Sequence, residues 1–249
     1  MIPFIMKLKI WKNSNITIEL KINKRYKQFK KIIPIGCDCH PAYMINTLGL
    51  RKESLPFDWL DTHSLFALQY AFENISSKFK FFLCDLKKNK EGKVYSSHFD
   101  FSLFFHYDDL NENIEFQSKL KKRGLRLLKY KKNKSCYYLH TVTSSSFKDN
   151  ESVVFFLKSV ANFKTIMKIN DYLAIYLRYD NSFEENKMYC EVLLSKIIHF
   201  ENVKIVPYIM EKEKFGIWGN ETTYKSLIKI LGIKLYPFFP KVKMIKKVN

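Results

Sequence analysis

The sequence predicts an α/β protein with a mostly parallel central sheet flanked by helices in a three-layer arrangement, and with an antiparallel hairpin inserted around residues 92–108. Between residues 136 and 231, strand-like and helix-like segments alternate, which is typical of βαβ units. From Lys93 to Asp108 the apolar residues recur with a period of two, which indicates extended chain with one polar face.

The first elements follow from local patterns taken in chain order. Residues 5–22 alternate apolar and lysine positions and predict a strand or hairpin, followed by a basic connector. The segment 32–36 is apolar and ends in glycine, which indicates a short buried strand. Pro41 suits the first turn of the next helix because it lacks an N–H, and Gly49 suits the left-handed residue that ends it.

Periodicity assigns the later elements. Further helices are expected over residues 62–74, 113–130, 151–163, 184–200 and 221–231. Further strands are expected over residues 136–142, 172–178 and 203–208. These assignments predict a strand and basic connector over 1–31, a single α/β domain over 32–235 (with a motif-bearing half, 32–130, and a βαβ half, 135–235), and a basic tail over 236–249.

The composition is that of a globular chain with an unusual charge. Of 249 residues, 47% are hydrophobic, which excludes a wholly disordered protein. There are 43 Lys and Arg against 24 Asp and Glu, giving a formal charge of +19. Nearly all of these cations are lysine, whereas specific recognition of phosphates and bases favours the planar fork of arginine. The lysine-rich segments 24–31, 119–134 and 241–247 therefore predict weak, non-specific polyanion binding.

The spacing of the cysteines, the length of the apolar runs and the absence of common cofactor motifs predict the compartment and the cofactors. The five cysteines are irregularly spaced and odd in number, which favours reduced thiols in the cytoplasm (the host cytoplasm for a viral protein). No apolar run is long enough to cross a bilayer, so no membrane span is expected. Cys37, Cys39 and His40 do not match common zinc-ligand spacing, and no phosphate-binding glycine motif is present, so neither a metal nor another cofactor is expected.

The densest group of chemically active residues is the segment 36–41, Gly-Cys-Asp-Cys-His-Pro. Cys39 falls just before a predicted helix, where free N–H groups and the helix dipole stabilise a thiolate and lower its pKa. This position suits a nucleophile, although a buried structural thiol is the common alternative. A second block, Ser-Leu-Pro-Phe-Asp-Trp at 54–59, either supplies core anchors and a capping Asp58 or uses Asp58 to orient a histidine.

Together these blocks resemble a family of papain-like cysteine peptidases of unknown function from bacteria and large DNA viruses. The matching residues are Gly36, Cys39, Ala42, Gly49, Arg51, Ser54, Pro56, Phe57, Asp58 and Trp59. The resemblance covers roughly residues 32–130. It implies that Cys39 is a nucleophile, His106 its general base and Asp58 the residue that orients the histidine. His98 and Asp108 are the alternatives for these last two roles.

The implied reaction is acyl transfer from an amide, isopeptide or thioester, with a peptide or other acyl compound as substrate. The N–H groups of Cys39 and its neighbours would then form the oxyanion hole. Two other functions stay open: a transferase acting on glycans or nucleotide sugars, and a non-catalytic anion-binding protein. The family name also implies an α+β papain-like architecture as an alternative to the α/β fold that the alternation over 136–231 predicts.

Overall fold

The computed structural model describes residues 6–12, 16–179 and 183–248. The strands are β1 (Met6–Lys12), β2 (Ile16–Lys27), β3 (Lys31–Pro34), β4 (Asp61–Thr62), β5 (Leu86–Lys88), β6 (Val94–Ser96), β7 (Phe99–Leu103), β8 (Cys136–Thr143), β9 (Tyr172–Tyr179), β10 (Val203–Ile209) and β11 (Tyr236–Val248). The helices are α1 (His40–Thr47), α2 (Ala67–Ser76), α3 (Ile114–Asn133), α4 (Asn150–Thr165), α5 (Phe183–Ile197), the short α6 (Lys212–Phe215) and α7 (Tyr224–Ile230).

A parallel four-stranded sheet forms the centre, in the order β10-β9-β8-β3. This confirms the mixed α/β class and the parallel sheet that the alternation predicts. All eight residues of β8 are buried, as expected for a strand of a parallel sheet that is covered on both faces.

The two faces of this sheet pack into separate hydrophobic clusters. On β9, Leu173 and Ile175 join the cluster that contains residues of α2, α3, α4 and α5. Ala174 and Tyr176 join the other cluster, with residues of α1 and α7. The period of two in a strand thus sends neighbouring side chains into different cores. The three-layer order itself stays a prediction.

The hairpin expected around residues 92–108 lies in a second, antiparallel sheet of order β4-β7-β6-β5. Strand β7 ends at Leu103, five residues before the end of the period-two pattern, because the N–H of Tyr107 donates to the carbonyl of Phe104 (2.9 Å) and closes a turn. This turn buries Phe104 and leaves Phe105 and His106 exposed. The extended chain expected up to Asp108 therefore ends at Leu103, and Phe105 does not continue the apolar face of the strand.

A third sheet joins the two ends of the chain in the order β1-β2-β11. Its first two strands correspond to the predicted N-terminal hairpin. Residues 236–248, however, do not form a tail: they pair antiparallel with β2 as strand β11. The charge of this segment conceals an alternation of lysine with apolar residues such as Val242 and Met244, which is a strand pattern.

Two helix boundaries also differ from the predictions. The helix expected over 62–74 begins at Ala67, because Thr62 pairs with Ser102 in β4 and their hydroxyl groups are 2.8 Å apart. The helix expected over 221–231 starts with a 3₁₀ turn and becomes α-helical at Tyr224. Among the helices of the described ranges, none combines the length and the apolar character needed to span a bilayer.

Candidate active site

Cys39 lies at the junction between the parallel sheet and helix α1. It is the N-cap residue of α1, five residues after β3 ends. Gly36 makes this short connection sterically feasible, because a Cβ atom at this position would lie 2.4 Å from Cγ of Pro41 and 2.9 Å from Cγ2 of Thr141. The close packing of Gly36 on Pro41 thus fixes Cys39 at the carboxyl end of the sheet, where α/β proteins commonly bind their ligands.

The turn after β7 brings His106 to the same place. Its Nε2 atom lies 3.5 Å from Sγ of Cys39, within hydrogen-bond range for sulfur. The indole ring of Trp59 meets the imidazole edge-on, with ring centroids 5.8 Å apart. Two segments that are 67 residues apart in the chain therefore form a thiol–imidazole pair.

The pair opens into a cleft of about 300 Å³. The lining residues are Asp38, Cys39, His40, Leu60, Asp61, Phe105, His106, Ile217 and Trp218. The walls are mainly apolar, and Phe105 and Ile217 are 44% and 62% exposed. The cleft thus combines an accessible thiol, a nearby base and apolar walls, which is the arrangement expected for binding and attacking an acyl group.

Asp58 is in contact with Arg51 rather than with His106. Its Oδ2 atom accepts hydrogen bonds from Nη2 (2.7 Å) and Nε (3.2 Å) of Arg51 and from the N–H of Leu55 (2.9 Å). Burial raises the pKa of Asp58, and Arg51 opposes this effect. Asp58 therefore neutralises Arg51 and closes the 55–58 turn, which corrects the expectation that it orients the histidine.

The rest of this motif block supports the histidine indirectly. The guanidinium of Arg51 donates to Oγ of Ser54 (2.9 Å) and lies over the ring of Trp59, 5.1 Å from its centroid. Pro56 and Phe57 are buried, with Phe57 in the main hydrophobic cluster. The block thus anchors Trp59, whose ring in turn contacts His106.

The alternative residues lie elsewhere. His98 stacks on Phe81, with ring centroids 4.2 Å apart, and does not line the cleft. Asp108 forms an ion pair with Lys93 (2.8 Å). Within residues 6–12, 16–179 and 183–248, no carboxylate hydrogen-bonds to His106.

The electrostatic environment of Cys39 differs from the expectation. Burial raises the pKa of its thiol to about 12, and the carboxylates of Asp38, Asp61 and Asp58 add to this effect. Burial and nearby negative charges both disfavour a thiolate. The pKa of Cys39 is therefore raised, and not lowered as its position at the start of a helix alone predicts.

Most of the N–H groups next to Cys39 are not free to donate to an oxyanion. The N–H of His40 donates to Oδ1 of Asp38 (2.9 Å), and Pro41 has no N–H. Asp38 is held in this position by an ion pair with Arg178 (2.6 Å). Within residues 39–41, this leaves the N–H of Cys39 itself as a candidate donor to an oxyanion.

One wall of the cleft was not foreseen from the sequence. His40, next to Cys39 but buried, contacts the hydroxyl of Tyr176 through Nδ1 (2.7 Å) and the carbonyl of Trp218 through Nε2 (3.1 Å). Tyr43 stacks on the ring of Trp218, with centroids 3.9 Å apart. The first turn of α1 thus carries the thiol and also holds the opposite wall. The available signal was Ile217–Trp218 between Gly216 and Gly219, both of which adopt positive φ.

Metal binding receives no support from the geometry. Across the part of the chain that the structure describes, no group of three or more His, Cys, Asp or Glu side chains could hold a metal ion. Cys37 is buried and does not line the cleft of Cys39.

Comparison with known proteins points to one family. A family model described as "Putative papain-like cysteine peptidase (DUF1796)" matches residues 30–174. An uncharacterized protein of Acanthamoeba polyphaga mimivirus is 40% identical over 42 residues, which is 17% of this chain and 19% of that relative. The alignment thus spans about a fifth of the relative's length. No solved structure matches the chain significantly.

Proposed function

The chain belongs to this family of papain-like cysteine peptidases, and on that premise we propose that it is a thiol-dependent acyl hydrolase with Cys39 as nucleophile and His106 as general base. The observation that carries the proposal is the 3.5 Å contact between Sγ of Cys39 and Nε2 of His106 in an open cleft. The substrate class is an amide, isopeptide or thioester.

In the proposed reaction, Sγ of Cys39 attacks the acyl carbon while the thiol proton passes to Nε2 of His106. The carbon–sulfur bond forms, and the bond from the acyl carbon to the leaving nitrogen, oxygen or sulfur breaks. His106 gives its proton to the leaving group. Water then attacks the thioester, again with proton transfer to His106, and the acid and the free thiol are released.

The protonated state of Cys39 determines how the base would act. Because the thiol pKa is about 12, a preformed thiolate–imidazolium pair is disfavoured. His106 would instead remove the proton as the carbon–sulfur bond forms, which is general-base catalysis. Trp59 and the Arg51–Asp58 pair are positioning residues in this scheme, because they contact His106 or its neighbour and not the substrate.

Variants of two histidines and two cysteines test the proposal. Hydrolysis of p-nitrophenyl esters and of short peptide thioesters is measured for the wild type and for Cys39→Ser, His106→Ala, His98→Ala and Cys84→Ala. We expect Cys39→Ser to lose activity and His106→Ala to lose roughly 10²–10⁴-fold in rate. His98 and the exposed Cys84 are the matched controls, and their variants should retain full activity.

Two results would contradict the proposal. The first is equal loss in His106→Ala and His98→Ala, which would show that the contact to Cys39 is not what matters. The second is an inactive wild type that is thermally stabilised by nucleotide sugars and whose transferase activity survives Cys39→Ser; this result would favour the transferase alternative.

A further inference from the structure

A second cavity, which shares no lining residue with the cleft of Cys39, lies where the connector between β2 and β3 packs against the α/β core. Its volume is about 310 Å³, at the low end of the roughly 300–1,000 Å³ of small-molecule sites. The end of β2, the start of β3, the segment 50–55 and the end of α3 contribute to its walls. The end of β2 and the start of β3 belong to one stretch, 26–34, so three stretches that are distant in sequence (26–34, 45–55 and 130–134) meet there.

The lining of this cavity is strongly cationic. It contains five cationic side chains, Lys30, Lys31, Arg51, Lys52 and Lys134, against one carboxylate, Glu53. The single carboxylate is already shared, because it accepts a hydrogen bond from Tyr130 and lies 3.3 Å from Nε of Arg126 and 3.9 Å from Nζ of Lys31. Arg51 is likewise satisfied by Asp58.

Three of the lysines keep an uncompensated charge. Among the residues that the structure describes, no carboxylate lies within ion-pair distance of Lys30, Lys52 or Lys134. The ammonium of Lys30 donates to the carbonyl of Asn170, which leaves its positive charge in place. Lys52 and Lys134 are exposed at the cavity.

The crowding has a physical cost. Burial lowers the pKa of Lys31, and the like charges of Lys52, Lys134 and Arg126 lower it further against the opposing effect of Glu53. An anion bound among these lysines would remove the repulsion. Phe29 also lines the cavity; its ring contacts Tyr236 (centroids 4.8 Å apart) and is still 70% exposed, which leaves area for a stacked base.

We propose that this basic cavity binds a polyphosphate group. Lysines hold phosphate as point charges and need no arginine fork. The cavity walls gather several lysines around one concave volume, which favours a multiply charged ligand over a single phosphate. The polyphosphate would come either from an inorganic chain or from a nucleotide whose base stacks on Phe29.

The test measures binding of inorganic tripolyphosphate and of ATP by titration calorimetry, with the whole chain at two salt concentrations. The cavity variant is Lys52→Gln with Lys134→Gln. The control variant is Lys121→Gln with Lys122→Gln, which removes the same charge from exposed positions of α3 that lie about 18 Å along the helix from Lys134. A third variant, Phe29→Ala, tests stacking.

We expect the cavity variant to weaken tripolyphosphate binding at least fivefold and the control variant to change it less than twofold. Binding of ATP that is tighter than that of tripolyphosphate and sensitive to Phe29→Ala would identify a nucleotide; equal and insensitive binding would identify inorganic polyphosphate. Equal losses in the cavity and control variants, or no binding at low salt, would overturn the proposal. In all of these variants the proposed acyl hydrolysis by Cys39 should stay unchanged, because none of the substituted residues lines the cleft of Cys39.

Discussion

Cys39 experiences two opposing electrostatic effects, from the start of α1 and from the carboxylates around it. Burial has the largest effect and, together with the carboxylates of Asp38, Asp61 and Asp58, raises the pKa of the thiol to about 12. Asp61 is the residue most open to mutation, because Asp38 is paired with Arg178 and Asp58 with Arg51. The charge of Asp61 therefore suppresses thiolate formation without holding the fold together.

Replacing this carboxylate should make the thiol more acidic. We predict that Asp61→Asn increases the rate of alkylation of Cys39 by iodoacetamide at pH 8 at least threefold, because a nearby negative charge is removed. Site-resolved mass spectrometry of the alkylated peptides measures this rate. The control is Glu151→Gln, an exposed carboxylate at the start of α4, which should leave it unchanged. A slower or unaltered rate in Asp61→Asn would refute the electrostatic explanation.

The buried pair of Arg51 and Asp58 makes the second residue-level prediction. Arg51→Met leaves Asp58, whose side chain is 1% exposed, without its cation. An unpaired buried charge costs about 3–5 kcal/mol, so the free energy of unfolding in urea should fall by about that amount. Adding Asp58→Asn should recover part of the loss, because the stranded charge disappears. A loss below about 1 kcal/mol in Arg51→Met would contradict this role for the pair.

Among the elements, the start of α1 depends on the absence of a side chain at Gly36. We predict that Gly36→Ala moves Pro41 and Cys39, because its Cβ would lie 2.4 Å from Pro41. The variant should lose about 1–3 kcal/mol of stability and also most of its acyl hydrolysis. Gly92→Ala is the control: it strains a surface turn with positive φ and has free space for a Cβ. If Gly36→Ala kept full activity, the packing on Pro41 would not position the thiol.

Two buried histidines, His40 beside Trp218 and His140 in β8, make the stability of the fold depend on pH. The pKa of His40 is lowered to about 4 by burial, and that of His140 is lowered to about 4 by the same cause. Between pH 6.5 and pH 4 the unfolded chain therefore binds more protons than the folded chain, so stability falls on acidification. Each histidine contributes up to roughly 3 kcal/mol.

We predict that His40→Gln about halves the loss of unfolding free energy between pH 6.5 and pH 4, since His140 remains. Urea unfolding at a series of pH values measures it. His63→Gln, at an exposed position, is the matched control and should show the full loss. An unchanged pH dependence in His40→Gln would show that His40 is protonated in the folded state.

The regular elements could be predicted because their signals are local. The alternation over 136–231 identifies β8, β9, β10 and the helices between them with boundaries that differ by a few residues. Strand β11 could not be predicted, because its pairing with β2 spans the whole chain and its lysines mask the strand pattern. The turn after β7 could not be predicted for a related reason. The chain leaves the extended conformation beyond Leu103 because Phe104 is buried, and this burial depends on residues distant in sequence.

The parts of the candidate site that lie close together in sequence could be predicted. The parts that depend on contacts between distant segments could not. Cys39 is proposed as the nucleophile from its position before a helix and from the family resemblance, and His106 as its base from the resemblance; both line the cleft. Asp58 pairs with Arg51, which is only seven residues away, and not with a histidine. The sequence does not show which of these two partners lies within reach of the carboxylate. The wall at Trp218 depends on a contact with His40 across 178 residues, which no local pattern reports.

For the molecule as a whole, the charge of +19 is distributed unevenly. The cleft of Cys39 is locally acidic, with Asp38 and Asp61 in its lining, whereas the basic cavity gathers lysines. The formal charge alone therefore does not describe either site. Because the two linings share no residue, we expect variants of Lys52 and Lys134 to change the proposed binding at the basic cavity without changing the proposed reaction at the cleft.

The most direct measurement locates the acyl group after one turnover. The wild type is mixed with a short peptide thioester, quenched in acid within seconds and mapped by peptide mass spectrometry. We predict an acyl group on Cys39, and a rate of its formation at least a hundredfold lower in His106→Ala. Acylation distributed by exposure, with most of it on the exposed Cys84, or an unchanged rate in His106→Ala, would contradict a Cys39–His106 nucleophile and base.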